Sequence, residues 1–231
     1  MKGLYVLVAS LMLAACTGLP AIHPPPAPGS KTVCPSVFAE APTRFIHAIE
    51  ARTAGQTRAV MIGVTLVHPR TGLLSSAIVS TEGLSLFEAT SDAGGVKVSR
   101  ALPPFDAPDF AQNMIDDIEL IFLAPSGTLQ QQGLLADGRT VCRWHREKGG
   151  WVDVSESADG RLRIQRYSEG GNPERTVTLA TGPGRAYSLI ELQASSLINY
   201  TLIMTLIESE GVAAAAKDEQ DPNQTTEGKK P

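Results

Sequence analysis

From Ala59 to Val67 the chain reads Ala-Val-Met-Ile-Gly-Val-Thr-Leu-Val, almost unbroken in apolar and β-branched residues, and Pro69 and Gly72 stop it. That composition predicts a strand covered on both faces. Leu73 to Ser80 predicts a second strand, Thr81-Glu82-Gly83 a turn, and Leu84 to Ala89 a third strand. The turn from Asp92 to Gly95 then leads into Val96 to Arg100. Strands joined by tight turns form an antiparallel meander. Ahead of it, Phe45, Ile46 and Ile49 open either a strand or a short helix.

The period then changes. Leu102-Pro103-Pro104-Phe105-Asp106-Ala107-Pro108 is rigid punctuation. Asp106 is placed to cap a helix, with Asp109 near the positive end of its dipole. At 3.6 residues per turn, Phe110, Met114, Ile115, Ile118, Ile121 and Phe122 share one face. Gln112, Asn113, Asp116 and Glu119 lie opposite, and the carboxylates Asp116, Asp117 and Glu119 are read as a solvated face. The helix ends before Pro125 and Gly127. Its apolar side needs a partner, and the curved face of the sheet is the one available.

Strand patterns resume at Gly138 to His145, Trp151 to Ser155, Arg161 to Tyr167, Arg175 to Ala180, Ala186 to Gln193 and Leu197 to Ile207. Glu191, Gln193 and Asn199 argue against reading the last two as a membrane span. The expected fold class is mainly β (α+β): a curved antiparallel sheet forming a half-open barrel, with one helix inserted midway as a lid.

The N-terminus has a different grammar. Lys2, an apolar run from Leu4 to Leu13, and small residues ahead of Cys16 have the layout of a secretory signal. The run is shorter than the ~20 residues a membrane-spanning helix needs. Leu13-Ala14-Ala15-Cys16 resembles the lipobox of bacterial lipoproteins. The resemblance implies that Cys16 becomes the first mature residue and carries acyl chains, several of which together hold a protein on a membrane. Thr17 follows instead of the Asp that serves as inner-membrane retention signal, so the implied location is the outer membrane, facing the periplasm. The domain boundaries are therefore 1–15 for the signal peptide, 16–32 for a Pro-rich tether containing Pro24-Pro25-Pro26, 33–208 for the half-barrel, and 209–231 for a disordered tail.

Composition narrows the function classes. The formal net charge is −4, with 42% hydrophobic and 19% charged residues. Such a chain has no basic surface for nucleic acid. Of the three cysteines, lipidation of Cys16 leaves Cys34 and Cys142, which an oxidising compartment allows to bridge; the alternative is two buried free thiols. Catalytic candidates are thin. The serines lack a nucleophile-elbow context. His23, His47, His68 and His145 have no metal spacing, and His23 reads as an exposed bystander in the tether. In Trp144-His145-Arg146 a strand would point the histidine away from its neighbours. No enzyme activity, metal or cofactor is expected.

Three stretches, Gly63 to Phe87, the Ala101-Leu102-Pro103-Pro104 step with the helix Phe110 to Leu120, and Ala186-Tyr187-Ser188-Leu189, resemble the LolA/LolB superfamily of lipoprotein carriers and receptors. Within it the pattern looks like the LolB-like outer-membrane lipoproteins of unknown function often linked to aryl polyene clusters. The resemblance implies an apolar cavity holding an acyl chain, lipid or lipoprotein for envelope transport or assembly. Its expected walls are Val60, Ile62, Val64 and Leu66 from the sheet and Phe110, Met114, Ile118 and Ile121 from the helix. The superfamily's receptor offers the membrane an exposed apolar loop; this chain departs from it in having no comparable loop, with Leu73-Leu74 after the Pro69 to Gly72 turn as the one candidate. The alternative function is a structural or interaction lipoprotein with a filled core, docking an envelope protein partner.

Overall fold

The computed structural model describes residues 18–25, 34–35, 38–182, 185–195 and 199–212. Twelve strands follow in chain order: β1 (Thr43–Thr53), β2 (Gln56–His68), β3 (Leu73–Ser80), β4 (Ser85–Asp92), β5 (Gly95–Ala101), β6 (Thr128–Leu134), β7 (Thr140–His145), β8 (Trp151–Glu156), β9 (Leu162–Tyr167), β10 (Pro173–Gly182), β11 (Arg185–Ala194) and β12 (Tyr200–Gly211). The one helix among the described residues, α1 (Phe110–Phe122), lies between β5 and β6.

The strands form one antiparallel sheet in the order β5-β4-β3-β2-β1-β12-β11-β10-β9-β8-β7-β6. Two meanders, β1–β5 and β6–β12, are stitched together where β1 pairs with β12. The outermost strands are β5 and β6, and the segment containing α1 connects them. A helix that joins the two edges of a curled sheet has to cross its hollow. The fold is therefore mostly β, an open curved sheet with a single helix, and the core lies between helix and sheet. Ile115 and Phe122 of α1 are buried against Val154, Ile164, Ile190 and Leu192 of the sheet. Each such side chain removed from water contributes about 2–3 kcal/mol.

Several local expectations change. Phe45 to Ile49 belong to a strand, because β1 finds partners on both sides. β6 has no apolar alternation in Thr-Leu-Gln-Gln-Gln-Gly-Leu and is held by pairing with β7. β12 continues to Gly211, past the expected domain end at 208. Asp109, not Asp106, occupies the helix N-cap, with φ 62° and no side-chain capping bond. Leu74 is fully buried, so Leu73-Leu74 is not an exposed loop.

The stretch expected to be a free tether lies partly on the domain. His23 exchanges two backbone hydrogen bonds of 2.8 Å with Leu134 at the edge of β6. Gly133 and Gly171 have no Cβ where His23 and Leu19 come closest. Residues 18–25 therefore meet the domain near Gly171, after β9, and at the edge of β6. On β7 and β8, Arg143 and Asp153 pair at 2.6–2.7 Å with almost no exposure. Farther along, Cys34 is bonded to Cys142 of β7, with Cα atoms 5.6 Å apart. Cys142 alternates with Val141 and shares the inward parity of Trp144, Val152 and Val154. The chain is thus tied to the edge of the sheet at His23 and to β7 at Cys34. Cys16, the signal segment and the tail beyond Val212 lie outside the described residues.

Candidate functional site

A cavity of about 870 Å³ lies between α1 and the concave face of the sheet, within the ~300–1,000 Å³ range of small-molecule sites. From the helix, Phe110, Met114, Ile118 and Ile121 line it. Phe110 meets Phe87 and Phe105 edge-to-face at 5.4 and 5.3 Å, closing one flank with aromatic rings. From the sheet come Ile49, Met61, Ile78, Leu192, Leu202 and Met204.

The β2 residues expected as walls are on the other face. Val60, Ile62, Val64 and Leu66 point outward, whereas Met61, Gly63, Thr65 and Val67 are buried inside. Adjacent strand residues face opposite ways, and a nearly continuous apolar run carries no signal of parity. Nor is β2 covered on both faces: Val60 is 54% exposed, as the outer side of an antiparallel sheet can be. The inward set is smaller and more polar because helix and cavity share the space. Gly63 has no Cβ because Ile49 Cδ1 from β1 would lie 2.4 Å from it.

The cavity has one apolar and one polar end. Beyond its apolar end, Phe45, His47, Phe122 and Tyr187 form an aromatic cluster with ring centroids 4.7–6.1 Å apart, Phe45 stacked on His47 and Phe122 and edge-on to Tyr187. Burial there lowers the His47 pKa to about 4 and pushes the Tyr187 hydroxyl up.

At the polar end Asp117 accepts from Arg175 Nε at 2.8 Å and from the Tyr200 hydroxyl at 2.6 Å. Asp117 had been assigned to a solvated face, yet it is 5% exposed. Burial raises its carboxyl above the ordinary range, against the pull of Arg175 and Tyr200. The attraction of Asp117 raises Arg175 in spite of desolvation, and burial raises Tyr200. Arg166 and Glu174 complete this end, with Arg166 Nε 3.2 Å from Glu174 Oε2.

Sequence reasoning missed all five of these polar residues. One signal was present: Asp117 is three residues after Met114 and four before Ile121, which places it on the apolar stripe. A carboxylate on such a stripe requires a buried cation, and Arg175 supplies it.

Other candidates are dispersed. Trp144 packs on the core, while His145 Nε2 is 3.3 Å from Glu169 and its ring rests on Trp151. Asp116 accepts from Gln112 one turn away. Among the described residues no cluster of three or more His, Cys, Asp or Glu could hold a metal ion, and no helix is long and apolar enough to cross a membrane. The arrangement is one of enclosure and hydrogen bonding: an apolar hollow with a charged rim at one end.

No family model matches the sequence, and no curated protein matches it. Among solved structures, the fold is similar to that of a LolA superfamily protein from Nitrosomonas europaea, with a TM-score of 0.50 and 10% identity over 77% of this chain and 89% of that one. At that identity the likeness is one of fold alone.

Proposed function

We propose that this protein is a non-enzymatic lipoprotein of the outer membrane, anchored through Cys16 and facing the periplasm. Its half-barrel takes up an acyl chain, lipid or lipoprotein for transport or assembly in the envelope. The observation that carries the reading is the cavity of about 870 Å³ under α1. Its walls are mostly apolar, and a core filled by its own side chains would leave no such space. The LolA-like fold supports a carrier or binding role. The finer affiliation, with LolB-like lipoproteins often linked to aryl polyene clusters, rests on the stretches quoted above, and the anchor and compartment rest on the lipobox.

Organic extraction and mass spectrometry of the purified protein test the reading, with Cys16 replaced by Ala to exclude its own acyl groups. A stoichiometric amphiphile in the extract is the expected result. An empty extract, together with no uptake of added fluorescent fatty acid, would remove the carrier reading and leave an envelope scaffold docking a protein partner.

A further inference from the structure

Three arginines line the cavity: the Arg52 side chain is 40% exposed and paired with Glu50 at 2.8 Å, and the two buried ones are used differently. Arg166 and Arg175 are partners in the β9–β10 register and are buried to nearly the same degree. Arg175 is fully engaged. Its Nε donates to Asp117, its Nη1 donates to the Glu174 carbonyl at 3.0 Å, and its guanidinium lies 5.7 Å from the Tyr200 ring centroid. Arg166 is only 6% exposed and lines the cavity, yet its Nε has no hydrogen-bond acceptor. The nearby Glu174 carboxylate is close but outside bonding geometry, and its side chain is 39% exposed, so water competes for it. Arg146 is half-buried and close enough to Arg166 for the two cations to repel.

A buried guanidinium with an unused donor is unfavourable unless a partner arrives. The partner that suits it is planar or tetrahedral, anionic and rich in oxygen, because the guanidinium fork matches carboxylate and phosphate. The rest of the lining is mostly apolar, interrupted by Arg52, Thr53, Thr65, Ser76, Asn113 and Ser195. We propose that Arg166 is the anchor for the anionic head of the ligand: a single-headed amphiphile whose carboxylate or phosphate binds Arg166 while its acyl chain lies along Ile49, Met61, Ile118, Leu202 and Met204. This rests on the reading of the cavity as an acyl-chain site. Asp117 is near enough to attract Arg166, but its side-chain hydrogen bonds go to Arg175 and Tyr200, and Arg166 Nε makes none with it. Glu174 holds the place of the head only loosely.

The test uses three probes with one chain: oleate, oleoyl glycerol phosphate and oleyl alcohol, titrated below their micelle concentrations into the full chain carrying Cys16→Ala. At least one anion should bind about tenfold to a hundredfold tighter than the alcohol, the worth of a charge-assisted hydrogen bond. The tighter anion identifies the head as carboxylate or phosphate. Arg166→Gln should abolish the preference, bringing the affinity for the anions down to that for the alcohol. Glu174→Gln should strengthen anion binding, because it removes the competing carboxylate. Equal binding of all three probes to the unsubstituted cavity would overturn the head assignment and leave the acyl-chain site standing; binding of none would overturn both. Retained preference in Arg166→Gln also overturns the assignment. Should that variant fail to fold, Glu174→Gln, at a partly exposed position, decides, and no gain for either anion rejects the proposal.

Discussion

Asp117 of α1 and Arg175 of β10 are joined at 2.8 Å with both side chains 7% exposed, so the helix is fastened to the sheet by a sealed ion pair. Removing one partner of a buried pair leaves the other charge uncompensated, at a cost of about 3–5 kcal/mol. Asp117→Leu should therefore destabilise the protein by that amount in urea titration. The double replacement Asp117→Leu with Arg175→Met should recover most of it, since an apolar pair of similar volume has no charge to bury. A double variant no more stable than the single one would mean that the pair does not act as a unit.

The Cys34–Cys142 bridge closes a separation of 108 residues. In the chain-entropy model a loop of that length is worth about 4–5 kcal/mol. Reductant should lower the urea midpoint of the native protein and leave that of Cys34→Ala unchanged. Alkylation of the denatured, unreduced protein should label neither cysteine; full labelling of both would refute the bridge.

His47 gives stability a specific acid dependence. Its pKa is about 4 when folded and 6.5 ordinarily, because burial disfavours the cation. The unfolded chain therefore binds a proton first as pH falls through 6.5, and stability is lost between there and about pH 4. By about pH 5 the loss attributable to this residue is about 2 kcal/mol. His47→Phe should flatten the stability profile in this window, as urea midpoints at about pH 7 and pH 5 would show.

The parity of β2 and the openness of the cavity can be tested together. Met61→Asn and Ile118→Asn place amides in the cavity, where water can satisfy them; Ile62→Asn places one on the outer face. The first two should lose bound fatty acid with small changes in melting temperature, and the third should retain it. Several degrees of destabilisation in Ile118→Asn without loss of ligand would indicate a filled core.

The sequence made the architecture legible wherever a residue's neighbours along the chain decide its state. The strands around Gly72, Gly83 and Gly95 and the helical stripe from Phe110 to Phe122 are of this kind. What it concealed depends on partners distant in sequence. The outward set from Val60 to Leu66 is as apolar as an inward set would be, so only the helix on one side of the sheet breaks the tie. β6 becomes a strand through β7, not through its glutamines. Asp117 looked solvated because its cation stands on β10 and its hydroxyl donor on β12. Arg166 could not be singled out at all, since its significance lies in the hydrogen bond it does not make.

A pull on the N-terminus meets resistance in two stages. The His23–Leu134 bridge has only two hydrogen bonds and peels first, freeing the edge of β6. Tension then reaches Cys34, where a covalent bond passes the load directly to β7. Every strand of the sheet lies beyond Cys34 in the chain, so none can be unzipped from that end while the bond is intact. A domain hung from its first residues would take the load in the middle of β7, and the pairing of β1 with β2 and β12 would be spared a direct pull.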